Sequence, residues 1–304
     1  VIRERLDDVL VSPATVGNLG SIPDRYNEGN GGTVYYHDTV TGETVNSIGL
    51  ASLGIDALKP VITEYSQKFA DVGKTLIVGA TTLRGQDATV VLPELMEQIF
   101  EAGAQRAEAN YSCPNIVLLG GGRKPILGYD PEAVFETRKA IVARIGSDVK
   151  WQEKLPPYVG ENAYLMTEVA GLYVPNKRLG RVGVTGFNTI PNVILERGGK
   201  PVLRIEAEID GEVVVSNAGG LSGPVVFDSY AQLQQDFLAL LPEDVPFIAA
   251  GGVWSGESVL ARKSDERVVA VTGVSRFWEG ENAGQSFGRT ATRMAEEISE
   301  ALEN

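Results

Sequence analysis

The feature that most constrains this chain is a repeated alternation between short apolar runs and amphipathic helical segments. Most of the apolar runs end in Gly, Ser, Thr or Asn, and a helical period follows. The runs predicted as strands are residues 11–21, 74–81, 104–112, 148–155, 181–189, 245–252 and 267–275. Repeated strand-then-helix units predict a parallel sheet. We therefore expect an α/β fold of the (β/α)8 TIM-barrel type, with a first strand lying upstream of Val1.

Apolar residues three or four positions apart mark the helical segments between these strands. Asp130 is a favourable N-cap residue, and Pro131 suits the first turn of the helix that follows it. The stripes are Leu92, Met96, Ile99 and Phe100; Val134, Ile141 and Ile145; Tyr230, Leu233, Phe237 and Leu241; and Met294, Ile298 and Leu302. Such stripes ordinarily face the core, so we assign them no role in function.

Two segments interrupt the alternation. Residues 33–45 predict a β-hairpin around Thr41-Gly42, and residues 201–216 predict another with Asp210-Gly211 at its turn. We interpret both as insertions over the C-terminal face of the barrel, where a lid or substrate wall would lie. No linker or internal repeat divides the chain, so residues 1–304 are expected to form one barrel domain.

Composition narrows the possible chemistry. A formal net charge of −13 disfavours nucleic-acid binding, because a field of that sign repels phosphate backbones. One cysteine and one histidine exclude an internal disulfide, a Cys-based metal cluster and a His-rich metal site, so no metal is expected. No apolar run approaches the roughly 18 residues of a membrane span, and no signal peptide is recognised. These features predict a cytoplasmic protein.

Asparagines gather at the predicted strand ends, which carry the site in a (β/α)8 barrel. An amide side chain donates and accepts hydrogen bonds without charge. Several amides around one cavity would suit a planar ligand with alternating N–H and C=O groups, such as a pyrimidine. A single Asn more commonly caps a turn, and that alternative stays open. The candidate substrate-binding residues are Asn46, Asn110, Asn115, Asn188 and Thr189.

Two reactive side chains also stand at predicted strand ends. Cys113 follows strand 104–112 and precedes Pro114, on a loop of the kind that carries catalytic groups in a barrel. A thiol, with a reference pKa of ~8.5, suits proton transfer, although a lone Cys is more often a small buried apolar group. Lys154 lies inside an apolar strand end, which favours burial beside an electron-rich group over a solvated surface position.

Glycine-rich turns occupy the last third of the chain. Gly251-Gly252 and Gly273-Val274-Ser275 end the last two predicted strands, where barrel loops frequently bind phosphate. The run from Gly219 to Pro224 is a further close-approach loop, although such turns often serve only to redirect the chain. The sequence has neither a Walker loop nor a G-x-G-x-x-G that opens a helix after a strand. A flavin mononucleotide phosphate is therefore favoured over a nucleoside triphosphate.

Residues 110–115 carry the most specific motif in the chain, N-x-S-C-P-N. This motif resembles the dihydroorotate dehydrogenases, specifically the class 1 enzymes, which use Cys as the base. Further likeness covers most of the chain: N-S-x-G-L from Asn46, K-L-P-P-Y from Lys154, the N-T pair at Asn188, G-G-L-S-G-P from Gly219 and, more loosely, the stretch from Lys124 to Asp130.

The resemblance implies FMN-dependent oxidation of dihydroorotate to orotate in pyrimidine biosynthesis. Cys113 would remove a proton from C5 of the substrate while C6 passes a hydride to flavin N5, and the asparagine set with Thr189 would hold the substrate. The implied FMN contacts are Ser21, Lys154, Gly220, Ser222, Gly223, Gly251, Gly252, Gly273, Val274 and Ser275. A homodimer is implied too, and the oxidant stays open between fumarate, a quinone and NAD through an electron-transfer partner subunit.

The chain departs from the class 1 pattern at two places. The A-x-G-like strand motif of the family is not found before Val1, and Gly20-Ser21 stands where class 1 enzymes carry a Lys-Ser pair. The subclass therefore stays open. So do two alternatives: a related flavin oxidoreductase acting on another dihydropyrimidine-like ring, and a degenerate barrel that binds a ligand without chemistry. The net charge disfavours a tRNA-reducing flavin barrel.

Overall fold

The computed structural model describes residues 16–27, 29–71, 73–114, 118, 124–175 and 179–272, with positions 293, 296, 297 and 300. Its strands are β1 (Val16–Ile22), β2 (Gly31–Thr33), β3 (Tyr35–His37), β4 (Thr44–Asn46), β5 (Thr75–Ala80), β6 (Arg106–Asn110), β7 (Lys150–Leu155), β8 (Arg181–Gly186), β9 (Ile190–Val193), β10 (Glu196–Arg197), β11 (Lys200–Pro201), β12 (Arg204–Ile209), β13 (Glu212–Ser216), β14 (Gly219–Ser222), β15 (Phe247–Ala250) and β16 (Val268–Thr272). Its α-helices are α1 (Ile55–Asp71), α2 (Ala88–Glu101), α3 (Pro131–Ile145), α4 (Leu165–Ala170), α5 (Phe227–Leu240) and α6 (Gly256–Arg262). None of these helices is both long and apolar enough to cross a bilayer.

Seven parallel strands form the main sheet in the order β1-β5-β6-β7-β8-β15-β16. All seven strands predicted from the apolar runs are confirmed within the described residues, and β1 extends one residue beyond its run. A helix separates every consecutive pair of these strands along the chain, because parallel pairing needs a crossover connection. The expected strand upstream of Val1 is not among the described residues.

The predicted helical stripes pack against the sheet. Asp130 caps α3 by accepting a hydrogen bond from the Ala133 amide at 3.0 Å, as its sequence position predicts. One apolar cluster joins α2, α3 and α5 to the strands, and it includes Leu92, Met96, Ile99, Val134, Ile141, Tyr230, Leu233, Phe237 and Leu241. The stripe at Met294, Ile298 and Leu302 lies outside the described residues.

Strand β7 shows which face of the sheet meets the helices. Glu153 points toward α3, where both of its carboxylate oxygens bind the Arg138 guanidinium at 2.7 and 2.6 Å. Side chains alternate along a strand, so Gln152 and Lys154 point to the opposite face. There the buried Glu108 carboxylate accepts from Gln152 Nε2 at 2.9 Å and from Thr185 Oγ1 at 2.7 Å. A polar layer therefore lies one step below the strand ends that carry the candidate site.

Antiparallel strands stand apart from the main sheet. Strands β3 and β4 pair with each other, and β4 continues into a four-stranded sheet with β14 and β9. Strands β12 and β13 pair around Asp210 and Gly211, whose φ angles of +52° and +83° are those of a tight two-residue turn. Strand β2 extends this second pair to three strands. These segments connect β1 to α1 and β8 to α5 along the chain.

Candidate active site

Asn110 lies at the centre of a hydrogen-bond network at the carboxyl end of β6. Its Nδ2 donates to Ser21 Oγ at 2.7 Å, and Ser21 belongs to β1. Its Oδ1 accepts from the amide N and the Oγ of Ser112, at 2.9 and 2.8 Å. The contact with the Ser112 amide is a local turn of the kind that Asn commonly makes. The contact with Ser21 joins the end of β6 to the end of β1, so Asn110 does more than cap a turn.

Asn188, which follows β8, joins the same network. Its Nδ2 donates to Ser112 Oγ at 3.0 Å and to Ser112 O at 3.1 Å, while its Oδ1 accepts from the Thr189 amide at 2.9 Å. The Tyr230 hydroxyl donates to the Asn188 carbonyl oxygen. Hydrogen bonds therefore connect Ser21, Asn110, Ser112 and Asn188 across the ends of β1, β6 and β8.

Strand β14 brings Asn46 close to Thr189. Gly220 pairs in register with Asn46, and a Cβ at Gly220 would lie 2.1 Å from Thr189 Oγ1. Only glycine fits between these two residues, so the predicted residues 46, 188, 189 and 220 form one cluster. Asn115, also predicted to bind substrate, lies outside the described residues.

The other two residues predicted from the G-G-L-S-G-P run pack against β4 and the loop before it. Ser222 Oγ lies 2.6 Å from Thr44 Oγ1. Gly223 has a φ of +97°, and a Cβ there would lie 2.3 Å from the carbonyl oxygen of Gly42. The described contacts of Ser222 and Gly223 are thus explained by packing within the chain.

Cys113 is a partly exposed thiol that forms no disulfide, on the loop after β6. The alternative of a fully buried apolar cysteine does not fit this exposure. Lys124 interacts electrostatically with it, because the Cys113 thiolate favours the ammonium form of Lys124. Burial lowers the pKa of Lys124, and the attraction to Cys113 opposes that shift.

Lys124 is held at the end of β5 by three oxygen acceptors. Its Nζ donates to Thr82 Oγ1 at 2.7 Å, to the Leu83 carbonyl at 3.3 Å and to the Thr82 carbonyl at 3.5 Å. Because β5 and β6 are neighbours in the sheet, this ammonium group and the thiol lie at adjacent strand ends. Lys124 was not among the residues predicted for the site, although its Lys-Pro pair lies in the stretch that resembles the family.

Lys154 lies at the end of β7, in register with Asn110. It is half-buried rather than enclosed as its sequence position suggested. Within the part of the chain that the structure describes, its ammonium group has no hydrogen-bond or ion-pair partner. Lys154 is therefore a cation beside Asn110 that is available to a bound group.

The turn after β15 needs glycine at two successive positions. Gly251 and Gly252 have φ angles of +84° and +73°, and Cβ atoms there would lie 2.2 Å from the Tyr230 ring and 2.6 Å from Phe227 Cα. Among the described residues, the amides of Gly252 and Val253 find no hydrogen-bond acceptor. Two unpaired backbone donors at a strand end fit an anion. The second predicted turn, Gly273, Val274 and Ser275, lies outside the described residues.

Comparison with known proteins decides the family. Residues 6–264 match the family model described as dihydroorotate dehydrogenase. The chain belongs to the dihydroorotate dehydrogenase family. Membership makes it an enzyme, a flavin oxidoreductase of the dihydroorotate dehydrogenase type, as the cysteine loop predicted.

Two relatives are described as catalytic subunits of dihydroorotate dehydrogenase B (NAD(+)). The protein from Methanopyrus kandleri is 28% identical over 258 residues, which cover 85% of this chain and 73% of that protein. The protein from Methanothermobacter thermautotrophicus is 23% identical over 265 residues, covering 82% and 77%. Their B-type designation agrees with the class 1 likeness of the cysteine loop.

A solved structure supports the fold. The crystal structure of DHODH from Eimeria tenella in complex with ferulenol superposes with a TM-score of 0.71 at 16% identity, covering 94% of this chain and 74% of that chain. At that identity the likeness concerns the fold alone. Together with the parallel seven-stranded sheet, it fits an α/β TIM barrel.

Proposed function

We propose that this chain oxidises dihydroorotate to orotate in pyrimidine biosynthesis, using FMN as cofactor and Cys113 as base. The observation that carries the proposal is the hydrogen-bonded series Ser21–Asn110–Ser112–Asn188, which lies on the same loop and strand ends as the partly exposed Cys113 thiol. Two amide side chains are thereby held beside the loop that carries Cys113, a group suited to accept a carbon-bound proton.

The substrate would be recognised by amides and hydroxyls. Dihydroorotate presents alternating N–H and C=O groups along its ring, and an amide side chain matches each of them as donor or acceptor. Preorganised amides lose little entropy when the ligand binds, because their orientation is already set by hydrogen bonds. The proposed substrate contacts are Asn46, Asn110, Asn115, Asn188 and Thr189.

The proposed proton transfer uses Cys113 as a thiolate. The bond from C5 to its proton breaks and the proton goes to Sγ, while the C5 electron pair forms the new C5–C6 double bond. Lys124, a cation near Cys113, favours the thiolate over the thiol. When bound, FMN supplies the two-electron acceptor that takes the hydride from C6.

The residues present fit a flavin with one phosphate. Lys154 offers an unpartnered cation beside Asn110 for the negative charge that the reduced ring carries. The unpaired amides after Gly251 fit the phosphate. The proposed cofactor contacts are Ser21, Lys154, Gly220, Ser222, Gly223, Gly251, Gly252, Gly273, Val274 and Ser275.

The same proposal covers architecture and assembly. The chain forms one barrel domain, with the antiparallel segments over the C-terminal face of the barrel. The B-type relatives are described as catalytic subunits of an NAD(+) enzyme, which favours a partner subunit that carries electrons to NAD. A homodimer of this chain and a cytoplasmic location belong to the proposal as well.

The test is anaerobic reduction of the bound flavin, which needs no choice of electron acceptor. We expect dihydroorotate to bleach the flavin absorbance, and orotate to appear in equal amount. 5,6-Dihydrouracil serves as the comparison substrate. Faster bleaching by dihydrouracil would favour the alternative of another dihydropyrimidine, and a protein that takes up no flavin would favour the degenerate barrel.

A further inference from the structure

Two arginines are almost completely buried, but only one of them has a carboxylate counter-ion among the described residues. Arg138 is 0% exposed and is neutralised by the Glu153 carboxylate through two hydrogen bonds. Arg262 is 1% exposed, and in the described part of the chain no carboxylate contacts it. Its partners are neutral oxygens: Gln234 Oε1 at 2.7 Å, the Gly251 carbonyl at 2.7 Å and the Ala250 carbonyl at 3.0 Å.

A buried cation without a counter-ion is costly. Burial lowers the pKa of Arg262 to about 10, and Tyr230 opposes that shift only in part. A guanidinium keeps its charge near neutral pH even so. The interior behind the Gly251 turn therefore holds a positive charge that an anion at the turn would compensate.

The hydrogen bond from Arg262 also sets the direction of the turn. Because the peptide between Gly251 and Gly252 is planar and trans, its carbonyl and its N–H point in opposite directions. The Gly251 carbonyl points at the guanidinium, so the Gly252 N–H points away from it. That N–H is one of the two donors without an acceptor in the described residues.

We propose that Arg262 is a positioning residue for a phosphate monoester bound at the Gly251-Gly252 turn. It holds the Gly251 carbonyl so that the Gly252 amide faces the phosphate, and its charge attracts the dianion through the turn. The inference rests on the proposed function, which assigns this turn to the FMN phosphate, and adds a residue that neither the family motifs nor the glycine pattern indicates.

A purely structural role is the competing explanation. Gln234 on α5 donates to the Arg262 carbonyl at 2.8 Å and accepts from its Nε, so the pair joins α5, α6 and the end of β15. Removing such a link would loosen the fold and weaken every ligand alike. The test must therefore compare two ligands that differ only in the phosphate.

Riboflavin and FMN provide that comparison, since riboflavin has the same ring and ribityl chain without the phosphate. Dissociation constants for both are measured by flavin fluorescence on protein stripped of cofactor, for wild type, Arg262→Met, Arg262→Lys and Gln234→Glu. We expect Arg262→Met to weaken FMN at least tenfold and riboflavin less than twofold, with Arg262→Lys in between. Arg138→Met is the matched control, because it removes a buried guanidinium that already has a counter-ion.

Gln234→Glu keeps the proposal testable if Arg262→Met does not fold. It places a carboxylate against the guanidinium and neutralises the charge with almost no change of volume. We expect it to reduce the preference for FMN over riboflavin. Equal weakening of both flavins in the Arg262 variants, or an unchanged preference in Gln234→Glu, would overturn the proposal.

The failure of this inference is distinguishable from failure of the proposed function. If wild type binds riboflavin as tightly as FMN, the turn binds no phosphate and the inference is wrong, whatever substrate reduces the flavin. If the variants lose the preference for FMN over riboflavin as expected but dihydroorotate does not bleach the flavin, the role of Arg262 is supported and the substrate assignment is wrong.

Discussion

Asn110 Nδ2 lies 2.7 Å from Ser21 Oγ, and this hydrogen bond ties the end of β6 to the end of β1. The two strands are not paired directly, because β5 lies between them in the sheet. The bond therefore crosses the concave face above β5. Both polar atoms of the Asn110 amide are hydrogen-bonded, since Nδ2 donates to Ser21 and Oδ1 accepts from Ser112.

Replacing Asn110 or Asn188 with Ala should weaken orotate binding while FMN stays bound. An unpaired buried group on a ligand costs about 1–3 kcal/mol, which corresponds to a five- to 150-fold higher dissociation constant. Titration of the flavin spectrum with orotate measures this. Gln232→Ala, which removes an exposed amide on α5, is the control. Unchanged orotate affinity in both variants would end the idea of a pyrimidine pocket.

Cys113→Ala should slow flavin reduction by dihydroorotate by about 10²–10⁴-fold, the typical contribution of a positioned base. It should retain FMN and still bind orotate, because the asparagine network does not depend on the thiol. Cys113→Ser should keep some activity with its pH dependence moved upward, since a hydroxyl is a weaker acid than a thiol. Stopped-flow reduction across pH measures this step. A near wild-type rate in Cys113→Ala at every pH would show that the thiol only packs and is not the base.

Lys124→Met should raise the pKa of the Cys113 thiol. A nearby cation stabilises the thiolate, so its loss shifts the thiol titration to higher pH, and the rise of the reduction rate with pH should shift in the same direction. Because Cys113 is the only cysteine in the chain, the pH dependence of its alkylation by iodoacetamide titrates it alone. Lys124→Arg should keep the wild-type profile. Identical thiol titrations in Lys124→Met and wild type would show that the ammonium group does not act on Cys113.

Lys154→Ala should weaken flavin binding or slow flavin reduction more than it lowers stability. The ammonium group has no partner among the described residues, so its removal breaks no described contact. Measurements of FMN content, reduction rate and the thermal midpoint separate the two effects. Lys139→Ala, which breaks an exposed pair with Glu136 on α3, controls for loss of a surface charge. A large drop in the midpoint with normal flavin reduction would make Lys154 structural.

Local patterns were enough to predict the main elements. Strands on a parallel sheet are short, apolar and separated by helices, and each of these properties is readable over a few residues. Asp130 and Pro131 predicted the start of α3 for the same reason, because the N-cap bond spans only three residues. Strand bounds were less accurate: run 181–189 became Arg181–Gly186, since pairing with β7 and β15 decides where the ladder ends.

The sequence by itself determined the identity and order of the groups at the site, since N-x-S-C-P-N and K-L-P-P-Y are contiguous in the chain. Only the tertiary structure decided which of these groups lie close together. Lys124 reaches the thiol region through Thr82, which follows the neighbouring strand β5, and Arg262 reaches the Gly251 turn from the end of α6. Arg262 carries no local signal for that role, and Lys124 carries only a loose likeness to the family. Electrostatic and hydrogen-bond partners depend on distance in space, which is set only when strands and helices pack.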